Sequence, residues 1–144
     1  RAKAYPVDTP EAALARLLAE PAALTDEVII ESNPNETMPL PSELTADFEF
    51  ELVAYHARKL TAEVNMPSDG WLVHAAAYYP GWQAYVDGEK VPLYAANYTQ
   101  QGIYLPAGKH RVHFRYDPWS FKIGLLLSIL SFAGVLWILI KNKK

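Results

Sequence analysis

With 144 residues, 51% of them hydrophobic and 20% charged, the chain has the length and composition of one globular domain rather than a disordered segment. It contains no cysteine, which excludes a disulfide framework and a thiolate metal site. The net charge of −3 hides a gradient: residues 1–69 carry 13 acids and 5 bases, residues 70–122 carry 3 acids and 5 bases, and three lysines end the chain. This is not the basic, aromatic-studded pattern of a nucleic-acid binder.

In chain order, the first element is a helix. Asp8 or Thr9 can cap it, Pro10 suits the first turn, and "EAALARLLAE" sets Leu14, Leu17 and Leu18 on one face before Pro21 ends it. "EVIIE" (27–31) reads as a strand, so residues 1–33 form a helix–strand segment that either packs on the edge of the strands beyond it or stands as a small lobe. Residues 34–46 lie in a proline-rich stretch and are expected to be a linker.

A period of two then takes over. In "DFEFELVAY" (47–55), Phe48, Phe50 and Leu52 alternate with Asp47, Glu49 and Glu51, and "KLTAEVN" (59–65) repeats the pattern. "GWLVHAAAY" (70–78), apolar on both faces, is expected to be a central strand. Shorter strands are predicted at 82–87 and 89–94, joined at Asp87-Gly88, with further strands at 101–106 and 110–116. The fold class is therefore mainly β: an antiparallel β-sandwich over residues 47–118, with a short N-terminal helix and one C-terminal transmembrane helix.

That last helix is the clearest element. "IGLLLSILSFAGVLWILI", Ile123 to Ile140, runs 18 residues without a charge, about 27 Å as a helix against a hydrocarbon core of about 30 Å. The transmembrane helix is assigned to 121–140 and residues 141–144 to a cytoplasmic basic tail. Lys141, Lys143 and Lys144 follow the span and only Lys122 precedes it, so the positive-inside rule leaves the globular part extracytoplasmic. A domain exported ahead of its only hydrophobic helix implies further sequence upstream of Arg1. Trp119 and Trp137 fall near the two membrane interfaces. Gly124, Ser128 and Ser131 make a small-residue stripe suited to packing against other membrane helices.

Sequence signals for chemistry are sparse. No G-x-S-x-G elbow, phosphate-cradling glycine loop or H-E-x-x-H pair is present, and His56, His74, His110 and His113 lack metal-ligand spacing. No catalytic residue, cofactor or metal is therefore assigned. In the last strand Lys109, Arg111, His113 and Arg115 share one face. That row, with Lys109, Arg111 and Arg115 as its fixed charges, either meets lipid headgroups or a phosphorylated group, or is a solvated face pairing with Glu49 and Glu51. In "YYPGWQAYVDGEKV" (78–91), Tyr78, Tyr79, Trp82 and Tyr85 are either a sugar-stacking surface, with Asp87, Asn97 or Gln100 on its hydroxyls, or the packed end of a sandwich.

The run from "GWLVHAAAYYPGWQAYVDG" through "AANY" to "PAGKHRVHFRYDPWSFKIG" and the apolar helix resembles the C-terminal region of the YfhO family of bacterial membrane proteins. Several motifs occur in order over more than half the chain, and "RAKAYPV" with its short helix is similar to the family's outward domain. The resemblance implies a large polytopic protein of the GT-C glycosyltransferase type in the bacterial cell membrane. Such a protein moves a sugar from a polyprenyl-phosphate carrier to a cell-envelope polymer. The presumed catalytic carboxylate belongs to a membrane region not represented here. This part then has an acceptor-binding or structural role, with Trp82 structural and Tyr78, Tyr79 and Asn97 as glycan-contact candidates. The bilayer and other membrane helices are the expected partners, with a glycan or a polyprenyl-phosphate sugar as a further one. The alternative is a non-catalytic, membrane-anchored β-sandwich subunit that binds a partner protein or glycan.

Overall fold

A computed structural model describes residues 3–19, 27–31 and 49–142. The expected linker at 34–46 lies outside the described residues. In chain order the elements are β1 (Lys3–Val7), α1 (Pro10–Ala19), β2 (Glu27–Glu31), β3 (Glu49–His56), β4 (Lys59–Met66), β5 (Gly70–His74), β6 (Trp82–Val86), β7 (Glu89–Val91), β8 (Tyr94–Ala96), β9 (Gln100–Leu105), β10 (Gly108–Tyr116) and α2 (Trp119–Lys141). They build two five-stranded sheets, ordered β1-β2-β8-β9-β5 and β3-β4-β10-β6-β7. The fold is mainly β, as the alternation predicts, and antiparallel except where β1 runs parallel to β2.

Alternation explains the core. Leu60, Ala62, Val64 and Met66 of β4, Ala84 of β6, and Val112 and Phe114 of β10 point inward and meet Ile103 and Leu105 of β9 from the other sheet. Phe114 is 1% exposed, and burying a ring of that size contributes on the order of 2–3 kcal/mol. A second cluster, Ile30, Trp71 and Ala96 with Tyr94 and Tyr104, occupies the opposite face of the β9 sheet. There the Trp71 indole meets Tyr94 and Tyr104 edge-on at 5.2 and 5.7 Å.

The N-terminal segment joins the first sheet: β2 pairs with β8, and β1 forms the outer edge. β1 was not expected as a strand. Its Pro6 fits because an edge strand leaves one row of amides without ladder partners. Thr9 caps α1, its Oγ1 accepting the Ala12 amide at 3.2 Å. The leucine face requires correction. Ala13 is the fully buried residue of α1, while Leu18 is 72% exposed and Leu14 also faces solvent. A small side chain at the contact lets the helix backbone approach the strands closely.

Three strand expectations change. β3 has its alternation but no buried face: Phe50 and Leu52 are each 51% exposed. They sit opposite core residues Val64 and Ala62, on a strand that ends its sheet and carries a bulge between Leu52 and Ala54. β5 is an edge strand rather than a central one. Its residues are apolar on both sides because Trp71 packs in one cluster and Leu72 against the other. The single strand expected at 89–94 is two, β7 in one sheet and β8 in the other, so the chain changes sheets at Pro92-Leu93. The Asp87-Gly88 hairpin forms as read, with φ of 53° and 90°.

α2 is 23 residues long, roughly 34 Å; its most apolar 18-residue stretch has a mean hydropathy of 2.6, and no side chain is buried against the domain. A cation rests over an indole near each end, Lys122 over Trp119 at 4.8 Å and Lys141 over Trp137 at 5.2 Å. The Ser128 and Ser131 hydroxyls donate to the backbone carbonyls of Gly124 and Leu127, which satisfies them within the helix.

Candidate functional site at the membrane joint

Two residues, Asp117 and Pro118, separate β10 from α2. Gly81 and Trp82 of "YYPGW" bear directly on this short link. Pro80-Gly81 turns the chain, with the Trp82 amide returning to the Tyr79 carbonyl at 3.3 Å. Gly81 has φ +112°, and its carbonyl accepts the Asp117 amide at 2.8 Å. A Cβ at Gly81 would stand 2.9 Å from Pro118 Cβ and 3.0 Å from Tyr116 Cε2. Glycine is thus required twice here, by the backbone angle and by the approach of the link. The Trp82 ring packs 5.4 Å from Tyr116, the last residue of β10, and 6.4 Å from His74.

A buried amide steadies the segment leading into this turn. Gln101 is fully buried, donates from Nε2 to the Ala77 carbonyl at 2.9 Å, and offers Oε1 to His74 Nδ1 at 3.3 Å. The Tyr78 amide donates to the Thr99 carbonyl at 2.6 Å.

Electrostatics complete the joint. Asp117 Oδ2 accepts from Arg115 Nη2 of β10 at 2.7 Å and from Lys122 Nζ of the first turns of α2 at 2.8 Å. One carboxylate therefore grips the domain and the helix at once. The Lys122 and Arg115 hydrogen bonds hold its carboxyl below the usual carboxylate range.

The residues singled out in the sequence fall in different places. Tyr78 and Tyr79 are exposed, at 43% and 63%, beside the joint. Asn97, at φ 48°, is engaged within the domain: Oδ1 accepts the Ile29 amide at 3.0 Å and Nδ2 donates to Gln100 at 3.0 Å, stapling β2 to β8. Arg111 and Arg115 lie on the outer face of β10 and line a shallow groove of about 440 Å³ with Lys59, Thr61, Tyr85, Gly88 and His113. His113 shares a 2.8 Å hydrogen bond with Thr61 Oγ1. Burial, then the neighbouring Lys59, Arg115 and Arg111 charges, push its imidazole below the ordinary range. In register, Arg111 stands opposite Glu63.

Lys109 is at the far end of β10, about 20 Å from Arg115 at strand rise, beside a groove of about 410 Å³. There Asp87 Oδ1 accepts the Arg111 amide at 2.8 Å and Oδ2 accepts from His110 Nδ1 at 2.7 Å. The first of these bonds, then the second, draw the Asp87 carboxyl down.

Sequence reading missed Asp117, Gln101 and the contact role of Gly81. An Asp-Pro-Trp directly after the last strand was the available signal for the first. None exists for the others, which depend on partners far along the chain.

Comparison with known families decides the assignment: the family described as Bacterial membrane protein YfhO matches residues 33–128. The chain belongs to the YfhO family. The match runs through β3 to β10 and into α2, so the whole joint lies inside the family region. As a YfhO-family chain with one long apolar helix, it is a membrane protein. No curated protein and no solved structure matches it.

Proposed function

We propose that this chain is the extracytoplasmic β-domain and final span of a polytopic protein that takes part in glycosyl transfer from a polyprenyl-phosphate sugar to a cell-envelope polymer. Its part in that reaction is structural: it keeps the β-sandwich close to the membrane and limits how far it can lift away. The reaction class is what YfhO resemblance implies. The structural role rests on one observation, the short joint formed by Gly81 against Pro118 and by Asp117 between Arg115 and Lys122. Of the residues that read as a sugar platform, Trp82 is used in this joint, packed on Tyr116. The span over 121–140, with the basic tail at 141–144 cytoplasmic, follows from the lysine asymmetry.

Two experiments test the reading. The chain has no cysteine, so Ala107→Cys in the full-length protein is expected to react with a membrane-impermeant maleimide in intact cells. Asn142→Cys is expected to react only after permeabilisation, and the reverse pattern rejects the orientation. A short Gly-Ser insertion between Pro118 and Trp119 is expected to lower glycan modification of the envelope while the unfolding midpoint of the domain stays unchanged. Undiminished modification rejects the positioning role.

A further inference from the structure

The direction of β10 defines a membrane-proximal end of the sandwich. β10 runs toward α2, and its antiparallel neighbours place Lys59 opposite Arg115 and Trp82 opposite Tyr116. The β3–β4 hairpin tip therefore lies at this end, and the Arg58 carbonyl accepts the Tyr116 amide at 2.9 Å. His74 packs on Trp82 and Phe114, and the Tyr78 amide reaches Thr99, so the 75–79 and 97–100 turns lie at the same end.

Exposed rings collect there. Tyr55 (65%), Tyr78 (43%), Tyr79 (63%) and Tyr98 (40%) are the exposed tyrosines among the described residues, and all four sit on these membrane-proximal segments. The opposite end has no exposed Tyr or Trp among the described residues. Cations join them. Arg58 and Lys59 are exposed at the hairpin tip and make no ion pair among the described residues, while Arg115 and Lys122 share the single carboxylate of Asp117.

Distance makes this arrangement consequential. From Tyr116 to Trp119 the chain can reach at most about 11 Å, and the headgroup layer is roughly 5–7 Å thick on each side of the hydrocarbon. With Ile123–Ile140 filling the hydrocarbon, the first turn of α2 occupies the headgroups and the end of the sandwich rests on them. Tyrosines and cations are the side chains favoured at that depth.

We propose that the membrane-proximal end of the β-domain docks on anionic phospholipid headgroups, with Arg58 and Lys59 at the hairpin tip reading phosphate charge and the tyrosine rim seating in the interface. The surface is continuous with the span and complementary in charge to such a bilayer. It depends neither on glycosyl transfer nor on which side the domain faces.

The test uses the full chain in nanodiscs of pure phosphatidylcholine or of phosphatidylcholine with phosphatidylglycerol. A nitroxide is placed at Ala57→Cys in the hairpin tip, or at Ala107→Cys at the distal end as the control. Accessibility to a water-soluble paramagnetic reagent is expected to fall at position 57 when phosphatidylglycerol is present and to stay constant at 107. Each cation near an anionic surface is worth about fivefold, so Arg58→Gln with Lys59→Gln is expected to lower the docked-to-lifted ratio about thirtyfold. Equal accessibility of position 57 in both lipids overturns the proposal, and that comparison needs no charge variant. Shielding that survives the double substitution also overturns it. So does shielding that appears only on adding envelope polysaccharide, which would assign the rim to a glycan.

Discussion

Substituting Gly81 by alanine tests the joint most directly. The new Cβ would lie 2.9 Å from Pro118 Cβ, 3.0 Å from Pro118 Cα and 3.0 Å from Tyr116 Cε2, closer than carbon atoms pack. The backbone angle of +112° adds a conformational cost that glycine avoids. Strain of this kind costs about 1–3 kcal/mol, and overpacking against atoms that cannot move aside adds about 1–3 kcal/mol. The sum, about 2–6 kcal/mol, is large beside a net stability of about 5–15 kcal/mol. At about 4 °C per kcal/mol for a domain of this size, the unfolding midpoint in detergent is expected to drop by roughly 8–24 °C. Gly88→Ala is the matched control. It also has positive φ, +90°, but nothing stands within 4 Å of its added Cβ, so it is expected to show the conformational cost alone. Equal midpoints for the two variants would refute the argument that the link is packed against the turn.

Asp117→Asn is expected to loosen the domain from α2 in a salt-sensitive manner, because all three partners are solvent-accessible. The folded-state pKa of Asp117 is depressed, so its contribution is present above the ordinary 3.8 and is lost as pH falls through the lower folded value. The gap in unfolding midpoint between wild type and Asp117→Asn should therefore close in acid, and a gap unchanged from neutral to strongly acid pH would contradict the clamp. In the core, Phe114→Ala is expected to cost about 3–5 kcal/mol, whereas Leu52→Ala on the uncovered edge strand should cost about 1 kcal/mol. Chemical denaturation of both variants checks this difference.

What the chain alone determined is local or one-dimensional. A charge-free apolar run specifies a membrane helix because a single segment in hydrocarbon can satisfy its own backbone polar groups only as a helix. Period-two alternation specifies strands because successive side chains point to opposite faces, and Asp87-Gly88 specifies its hairpin because both residues accept positive φ. The family motifs were legible for the same reason, as contiguous strings. What only the tertiary structure decided is which faces are covered and who meets whom. Phe50 and Leu52 alternate as faithfully as Leu60 and Ala62 do, yet only the second pair lies beneath the other sheet. Asn97 looks like a polar surface residue and is instead a staple, because β2 arrives beside it from 68 positions away. The aromatics of "YYPGW" posed two readings that composition left open. The part of Trp82 in the joint follows from its packing on Tyr116 beside the Gly81–Pro118 contact, between residues far apart in the chain that no local pattern encodes.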